Sequence, residues 1–287
     1  MNANHTSEFV AATKENWKIL VAQELKNHTL DHFPWEIAND VFLDHYYTAD
    51  ELEASAIQKT QNSQRHSAQW QRALRIKYEH DDQVIEFIKN NSGAKDISIW
   101  IQLPSLTPTH AALQRILTEA NLKDIAVYFM VADAIEEVFQ TFTSLHLGKG
   151  GIVLDPITKW MSADLSIPFD NAIYNQSIFR QRPAQPFKTL CIDGDFYHNR
   201  GADPAQELGF ILGNLVHTLD QLTDLGITPK DAFLQIFFSV SVGTQYLTEI
   251  SKLRALRFLI HQIAATYAVS PADYIPFIHV NTSTLYH

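Results

Sequence analysis

The spacing of apolar residues changes character near residue 70. Upstream, residues 7–27 read as a helix, with Phe9, Val10, Leu20 and Leu25 set among polar residues. Thr48 and Glu51 have the spacing of a capping box and open a second short helix. Residues 54–69 are polar and poor in apolar side chains. The first 70 residues therefore read as a helical N-terminal arm rather than an independent domain. Downstream, short β-rich runs alternate with amphipathic segments. Strands are expected at Ala73–Tyr78, Ile97–Leu103, Ile125–Val131, Gly151–Leu154, Phe187–Ile192, Ile236–Val242 and Phe277–Val280. Several are apolar on both faces, as in a parallel sheet covered on both sides. Helices are expected between them at 109–121, 132–145, 170–180, 204–225 and 244–267.

Two of these helices are well specified. Asp203 is an N-cap, Pro204 fits the first helical position, and Gln206 completes an imperfect box. Leu208, Ile211, Leu212, Leu215, Leu219 and Leu222 make one stripe, and Gly226 stands where a helix-ending residue belongs. In the second, Tyr246, Ile250, Leu253, Leu256, Ile260 and Ile263 recur at spacings of three and four.

Repeated strand–helix units permit a doubly wound sheet or a (β/α)8 barrel of the TIM type. The count favours a barrel over residues 71–287. Seven strands are found and the chain stops just after the seventh, so the barrel reads as truncated. An open seven-stranded barrel leaves an unpaired parallel edge. Either a strand escapes this reading, or the chain is a fragment, or a partner covers the edge.

Composition narrows the function. The 287 residues carry a formal charge of −10, which disfavours nucleic acid as a partner, because phosphates need a basic face. Cys191 is the single cysteine, so no intrachain disulfide or thiolate zinc site forms, and a reducing cytoplasm is the expected setting. The polar N-terminus has no signal-peptide core, and no apolar run approaches the roughly 20 residues of a membrane span. Asn-x-Ser/Thr triplets at Asn4, Asn27 and Asn175 carry no meaning in a cytosolic protein.

Three groups of residues are candidates for chemistry. The loop after Ile192 holds Asp193, Asp195, Tyr197, His198, Asn199 and Arg200 where a buried strand passes to a helix. His198 could serve as a general acid, Tyr197 could orient a carbonyl, and Asp193 or Asp195 could be a base or cap the turn. A hydrogen-bonded rim loop explains the same residues. His279 and Asn281 alternate along the last strand and share one face, which lines a pocket or touches a helix. Arg254, Arg257 and His261 share a helical face that suits phosphate or an acidic partner, or is simply solvated. No G-x-G-x-x-G, Walker A, H-E-x-x-H or G-x-S-x-G motif is present. The glycines at 148–151 lead into a strand rather than a helix. The thirteen histidines show no metal-ligand spacing.

Together the residues resemble the substrate-binding barrel of the methylmalonyl-CoA mutase family. The resemblance rests on Gly201-Ala202, Glu207-Leu208, Ser251-Lys252-Leu253-Arg254-Ala255-Leu256-Arg257 and His279-Val280-Asn281-Thr282-Ser283, in order across about 90 residues. Tyr46-Tyr47-Thr48-Ala49-Asp50 is similar to the family's N-terminal arm. The catalytic chains have Ser-Gly-Tyr-His in the loop. Anchored without gaps on Gly201-Ala202, that Tyr-His pair falls on Asp195-Phe196, and Tyr197-His198 lies two residues further on. Ile278 stands where the family has Arg, and Asn281 where it has Gln.

These departures resemble the small (β) subunit of heterodimeric mutases. The resemblance implies a non-catalytic barrel partner of a larger (α) subunit in the isomerisation of methylmalonyl-CoA and succinyl-CoA. It implies adenosylcobalamin in the holoenzyme and no cofactor on this chain. The family's C-terminal cobalamin-binding-type domain, with Asp-x-His-x-x-Gly, has no counterpart here, so the chain reads as a fragment or a shortened relative. As expectations, catalytic residues are absent, with Tyr197 and His198 as weak candidates. His279, Asn281 and Asp195 are substrate-binding candidates, and Arg254, Arg257 and His261 a partner or phosphate face. A CoA thioester could still bind, and an isolated fragment could form a homodimer. Alternatives are a stand-alone CoA-thioester-binding or scaffold protein, or an active acyl-CoA mutase using Tyr197 and His198.

Overall fold

A computed structural model describes residues 13–285, except 27–29, 31–32, 39–40, 65–69, 95, 105–109, 121, 123–124, 132–134, 145–148, 164 and 176–186. Asn4, Asn27, Gly148 and the start of the expected 7–27 helix lie outside the described residues. The chain divides into two compact units, Met1–Asn62 and Ser63–His287.

The first unit is not wholly helical. It has helix α1 (Lys14–Glu24), a hairpin of β1 (Trp35–Ala38) and β2 (Val41–Leu43), and helix α2 (Ala54–Asn62). The hairpin was not expected, because Trp35–Ala38 and Val41–Leu43 are too short to establish a period of two. The Thr48–Glu51 box forms, with Glu51 Oε2 accepting from Thr48 N at 2.8 Å, but it opens a 3-10 turn, Ala49–Glu51. Lys14 pairs with Asp44 at 3.2 Å and with Glu51, and Trp17 stacks on Tyr46. No residue of α1 or α2 is buried. Among the described residues of this unit, none is buried.

The second unit is mixed α/β, and its strands are all parallel. Strands β3 (Arg72–Lys77), β4 (Ile97–Gln102), β5 (Ala126–Met130), β6 (Gly150–Val153) and β7 (Phe187–Lys188) form a five-stranded sheet in that order. Strands β8 (Leu190–Asp193), β9 (Ile236–Val242) and β10 (Ile278–Thr282) form a second sheet in order. The run expected as one strand, Phe187–Ile192, is split at Thr189. Its first half pairs with β6 and its second with β9. Thr189 gives its N–H to Gln235 O at 3.0 Å and its hydroxyl to Gln235 Oε1 at 2.7 Å, while Cys191 N reaches back to Leu154 O at 2.8 Å. The seven expected strands thus lie side by side in chain order.

Helices α3 (Asp81–Asn91), α4 (His110–Glu119), α5 (Ile135–Ser144), α6 (Pro156–Ser162), α7 (Gly194–His198), α8 (Pro204–Asp224), α9 (Pro229–Gln235) and α10 (Tyr246–Thr266) link them. The sequence reading had no place for α3, α6, α7 or α9, most of which are short. Where it expected a helix at 170–180, the described part is a 3-10 turn, Asn171–Asn175. The α8 caps form as expected: Asp203 Oδ1 accepts from Ala205 N at 2.9 Å and Gln206 N at 2.8 Å, and Gly226 takes φ +84°. Gly150, at φ +136°, lets β6 approach β5 closely, since a Cβ there would lie 1.9 Å from Val127 O. No larger residue fits.

Helix α10 departs from its sequence stripe. Tyr246 is 74 % exposed, while Glu249, Lys252, Leu256, Ile260, His261 and Ala264 are buried. The buried face is set by an ion pair as well as by apolar spacing.

The core has two parts. Between strands and helices lies a large apolar cluster including Ile99, Phe129, Ile152, Ile192, Leu215, Leu219, Phe233, Phe238 and Ile260. On the opposite face, Trp100, Ala126, Tyr128, Cys191 and Phe237 form a second cluster joined by Phe277. Trp100 stacks on Tyr128 at 4.4 Å and on His279 at 3.8 Å, and Phe237 lies 5.6 Å from Tyr128. Trp100 is on the second strand of the array and His279 on the last. The array therefore curls until its two ends come near each other.

Candidate functional site

The polar residues of the second unit gather at the carboxyl ends of β6, β8, β9 and β10. Asp155, at the end of β6, caps α6 through Oδ1, which accepts from Ile157 N at 3.0 Å and Thr158 N at 3.2 Å. Its Oδ2 accepts from Asp193 N at 2.8 Å and Asn214 Nδ2 at 2.7 Å. One carboxylate thus joins a strand end, the neighbouring strand and helix α8. Burial pushes its pKa up to about 6 in spite of these four donors. Asp193 caps α7, with Oδ1 near Phe196 N at 3.4 Å, and burial followed by the charges of Asp155 and Asp195 raises it to about 7.

The loop's histidine is enclosed. His198 is 5 % exposed; its Nδ1 is 3.2 Å from Glu207 Oε2 and its Nε2 is 2.8 Å from Ser283 Oγ. Lys252 Nζ donates to Glu207 Oε2 at 2.8 Å and to Ser241 O at 2.7 Å, and pairs with Glu249 Oε2 at 2.8 Å. Glu249 Oε1 accepts from Gly243 N at 2.9 Å. Glu207 is fully buried, and desolvation raises its pKa against the opposing pull of Lys252. Glu207 Oε1 is buried and has no hydrogen-bond partner.

Asp195 accepts from Asn199 Nδ2 at 3.0 Å and from the Ser241 hydroxyl. Asn199 Oδ1 in turn accepts from Thr284 N at 2.9 Å and Thr284 Oγ1 at 2.7 Å. The 193–200 loop is therefore bolted to β9, α8, α10 and the segment after β10. Tyr197 is 7 % exposed, stacks on Phe210 at 4.9 Å, and has Met161 Sδ 3.9 Å from its hydroxyl. Burial raises it to about 12.

The second expected group lies apart from this network. His279 is buried against Trp100, and its Nε2 meets Asn281 Oδ1 at 3.0 Å. Burial lowers its pKa to about 4, so its imidazole is neutral at physiological pH. Asn281 gives its amide to Ser239 Oγ at 3.1 Å, and its Oδ1 accepts from Arg75 at 3.2 Å. His279 and Asn281 share the inward face, as their alternation allowed.

The third group does not form one open face. Arg254 is exposed. Arg257 is half-buried and donates to Pro276 O at 3.3 Å. His261 is buried with Nδ1 unpartnered, and desolvation, then Arg257, lowers its pKa. The three positions share one stripe of α10, but the stripe runs from solvent at Arg254 into buried surroundings at His261.

Two cavities adjoin these groups. A mouth cavity of about 510 Å³ is lined by Gln102, Met130, Asp155, Cys191, Asp193 and Phe196 among others. A cavity of about 960 Å³ runs between β3 and β10, bordered by Arg72, Arg75, Trp100, Arg257, His279 and Asn281. Among the described residues, no three His, Cys, Asp or Glu side chains are grouped to hold a metal ion. No helix among them is long and apolar enough to cross a membrane.

The sequence reading overlooked Asp155, Asn214 and Ser241 and gave no role to Glu207, Lys252 or Ser283. A signal existed for one of them: Asp155-Pro156 repeats the N-cap and N1 pattern of Asp203-Pro204. The others become visible only when α8, α10 and the strand ends meet.

Parallel strands joined by helices, with polar groups collected at the strands' carboxyl ends, place the second unit in the mixed α/β class. The sequence is more specific. Residues 115–286 match the model of the family described as methylmalonyl-CoA mutase, and the chain belongs to that family. It is 31 % identical over 137 residues to the methylmalonyl-CoA mutase small subunit of Porphyromonas gingivalis, covering 47 % of this chain and 22 % of that protein. Over 129 residues it is 28 % identical to the probable small subunit of Mycobacterium tuberculosis, covering 45 % and 20 %. Over 85 residues it is 36 % identical to the small subunit of Streptomyces virginiae, covering 30 % and 14 %. The aligned part is about a fifth of the length of the first two relatives.

Proposed function

We propose that this chain serves as a non-catalytic small (β) subunit in a methylmalonyl-CoA mutase assembly, with a larger (α) subunit performing the isomerisation of methylmalonyl-CoA and succinyl-CoA. The second unit is then a (β/α)8-type barrel whose array is open between its first and last strands. The observation that carries this reading is the family match over residues 115–286 together with the similarity to relatives named small subunit. The setting is cytoplasmic, in keeping with the single buried cysteine.

The geometry supports a scaffolding role. A catalytic imidazole needs a nitrogen directed at the substrate. Both nitrogens of His198 are engaged by Glu207 and Ser283. The inward face of the strands is filled by Trp100, Tyr128, Phe237 and Phe277 in ring contact.

Adenosylcobalamin, which the family implies for the holoenzyme, supplies carbon-skeleton radical chemistry when bound. The residues described here do not fit a cobalt centre, since His198, the imidazole at the strand ends, offers no nitrogen to a metal. No step is assigned to the cofactor on this chain, and its place in the assembly is the larger subunit.

The experiment is turnover. The purified 287-residue protein, given methylmalonyl-CoA and adenosylcobalamin, forms no succinyl-CoA, and it co-sediments with a larger mutase subunit from the same source. Sustained succinyl-CoA formation by this chain alone would falsify the non-catalytic reading. Calorimetric binding of a CoA thioester, lost in His279→Ala, together with no pairing to the larger subunit, would favour a stand-alone binding protein instead.

A further inference from the structure

Lys188 is a cation without a counter-ion inside the strand array. Phe187, the residue before it on β7, packs in the large core between strands and helices, so Lys188 points to the opposite, inward face. Its neighbour across the ladder is Gly151. A Cβ at Gly151 would lie 2.9 Å from the Lys188 Cβ and 3.2 Å from the Tyr128 ring. The stem of the lysine therefore occupies room that β6 gives up by carrying glycine. Tyr128 belongs to the inward cluster and stacks on Trp100 and Phe277. At its tip, Lys188 Nζ donates to Leu234 O at 2.6 Å. That carbonyl is neutral, and no carboxylate among the described residues pairs with the ammonium. Lys252 shows the alternative. It is more deeply buried, but Glu207 and Glu249 both lie 2.8 Å from its Nζ. None of Tyr128, Gly151, Lys188 and Leu234 borders the cavity between β3 and β10.

A buried ammonium with no counter-ion favours its neutral form, and a neutral amine is a nucleophile. Desolvation alone pulls the Lys188 amine down to about 8. We propose that Lys188 is an acylation site, a half-buried amine that takes the acyl group of an acyl thioester. The amine lone pair attacks the thioester carbonyl carbon and the N–C bond forms. The C–S bond breaks, and the displaced sulfur leaves as a thiol carrying the amine's proton. The product amide is neutral and keeps one N–H for Leu234 O, so acylation removes the uncompensated charge without losing the hydrogen bond. The thioester as donor rests on the mutase reading, whose substrates are CoA thioesters; the reactivity of the amine does not.

The probe is acetyl-CoA, with acetyl phosphate as a second donor of the same acyl group. The whole 287-residue protein is incubated with each, and acetylation is followed by peptide mass spectrometry. Near neutral pH, acetyl-CoA modifies Lys188 about tenfold faster than the exposed Lys18 and Lys89, because far more of its amine is unprotonated. The Lys188 rate levels off above about pH 8, while the rates of the exposed lysines climb to about pH 10. In urea, where burial is lost, the advantage of Lys188 disappears. Lys188→Arg keeps a cation at the site and leaves Lys18 and Lys89 reacting as in wild type. The proposal is overturned if Lys188 reacts no faster than the exposed lysines, or if its advantage survives in urea, since neighbouring sequence rather than burial then sets it. It is also overturned if acetyl phosphate modifies Lys188 while acetyl-CoA does not, because the amine is then reactive but closed to thioesters. Failure of the mutase reading is separate, being read from pairing with a larger subunit, which this test does not use.

Discussion

The strand ends and the strand edges of the second unit make opposite use of their polar groups. At the ends, His198, Glu207, Lys252, Ser283, Asp195, Asn199 and Ser241 bond one another, leaving the buried Glu207 Oε1 without a hydrogen-bond partner. At the opening between β3 and β10, the outward backbone groups pair with no strand among the described residues. The residue types that signal chemistry in a sequence are thus consumed internally.

Substitutions test this contrast, and the largest effects belong to the filled regions. Trp100→Ala leaves a hollow beneath His279 and costs about 3–5 kcal/mol in urea unfolding. A loss under about 1 kcal/mol would mean the ring cluster is not a packed core. Lys252→Ala strands two buried carboxylates and costs about 3 kcal/mol. Adding Glu207→Gln recovers part of that loss. Strict additivity in this double-mutant cycle would break the idea of a single network. His198→Ala costs about 1–2 kcal/mol, because Glu207 and Ser283 each lose a partner.

The pH dependence separates the two inward acid–base groups. Asp193 has a folded pKa near 7 against about 4 when unfolded, so the folded state holds the extra proton between those values. Its contribution falls as pH rises from 4 to 7, and the full penalty stands above 7. Asp193→Asn therefore gains about 1–2 kcal/mol over wild type between pH 4 and pH 8. His279 runs the other way. Its folded pKa is about 4 against 6.5 unfolded, so stability drains as pH falls from 6.5 to 4. His279→Gln flattens that slope, and unfolding curves across pH 4–8 check both signs. The smallest effect is at the opening: Val280→Ser changes stability by less than about 0.5 kcal/mol, since Val280 supports no packed neighbour across the seam.

Much of the architecture is legible in the chain. Seven β-rich runs became seven parallel positions, and those covered on both faces, such as Ile97–Gln102 and Ile236–Val242, are largely apolar for that reason. The Asp203-Pro204 cap and Gly226 bounded α8 as their local chemistry requires. The paired strands β1 and β2 and the short helices α6 and α7 were not legible, because three to seven residues hold too few periods to recognise. Tyr246 was assigned to an apolar stripe and is exposed, whereas Lys252 is buried. A spacing rule counts hydrophobicity and cannot see that Glu207, 45 residues away, compensates the charge.

By itself, the sequence determined the alternation of strands and helices, the family, and the position of the polar loop after Ile192. Those depend on local propensity and on residues close in the chain. Only the tertiary structure decided that His198 has both nitrogens engaged, that aromatic rings fill the inward face, and that Trp100 near one end of the strand array stacks on His279 at the other. Each depends on groups brought together from distant parts of the chain, as when Ser283 reaches His198 or Asn281 reaches Arg75. Burial and hydrogen-bond satisfaction are properties of that convergence, and no single segment encodes them.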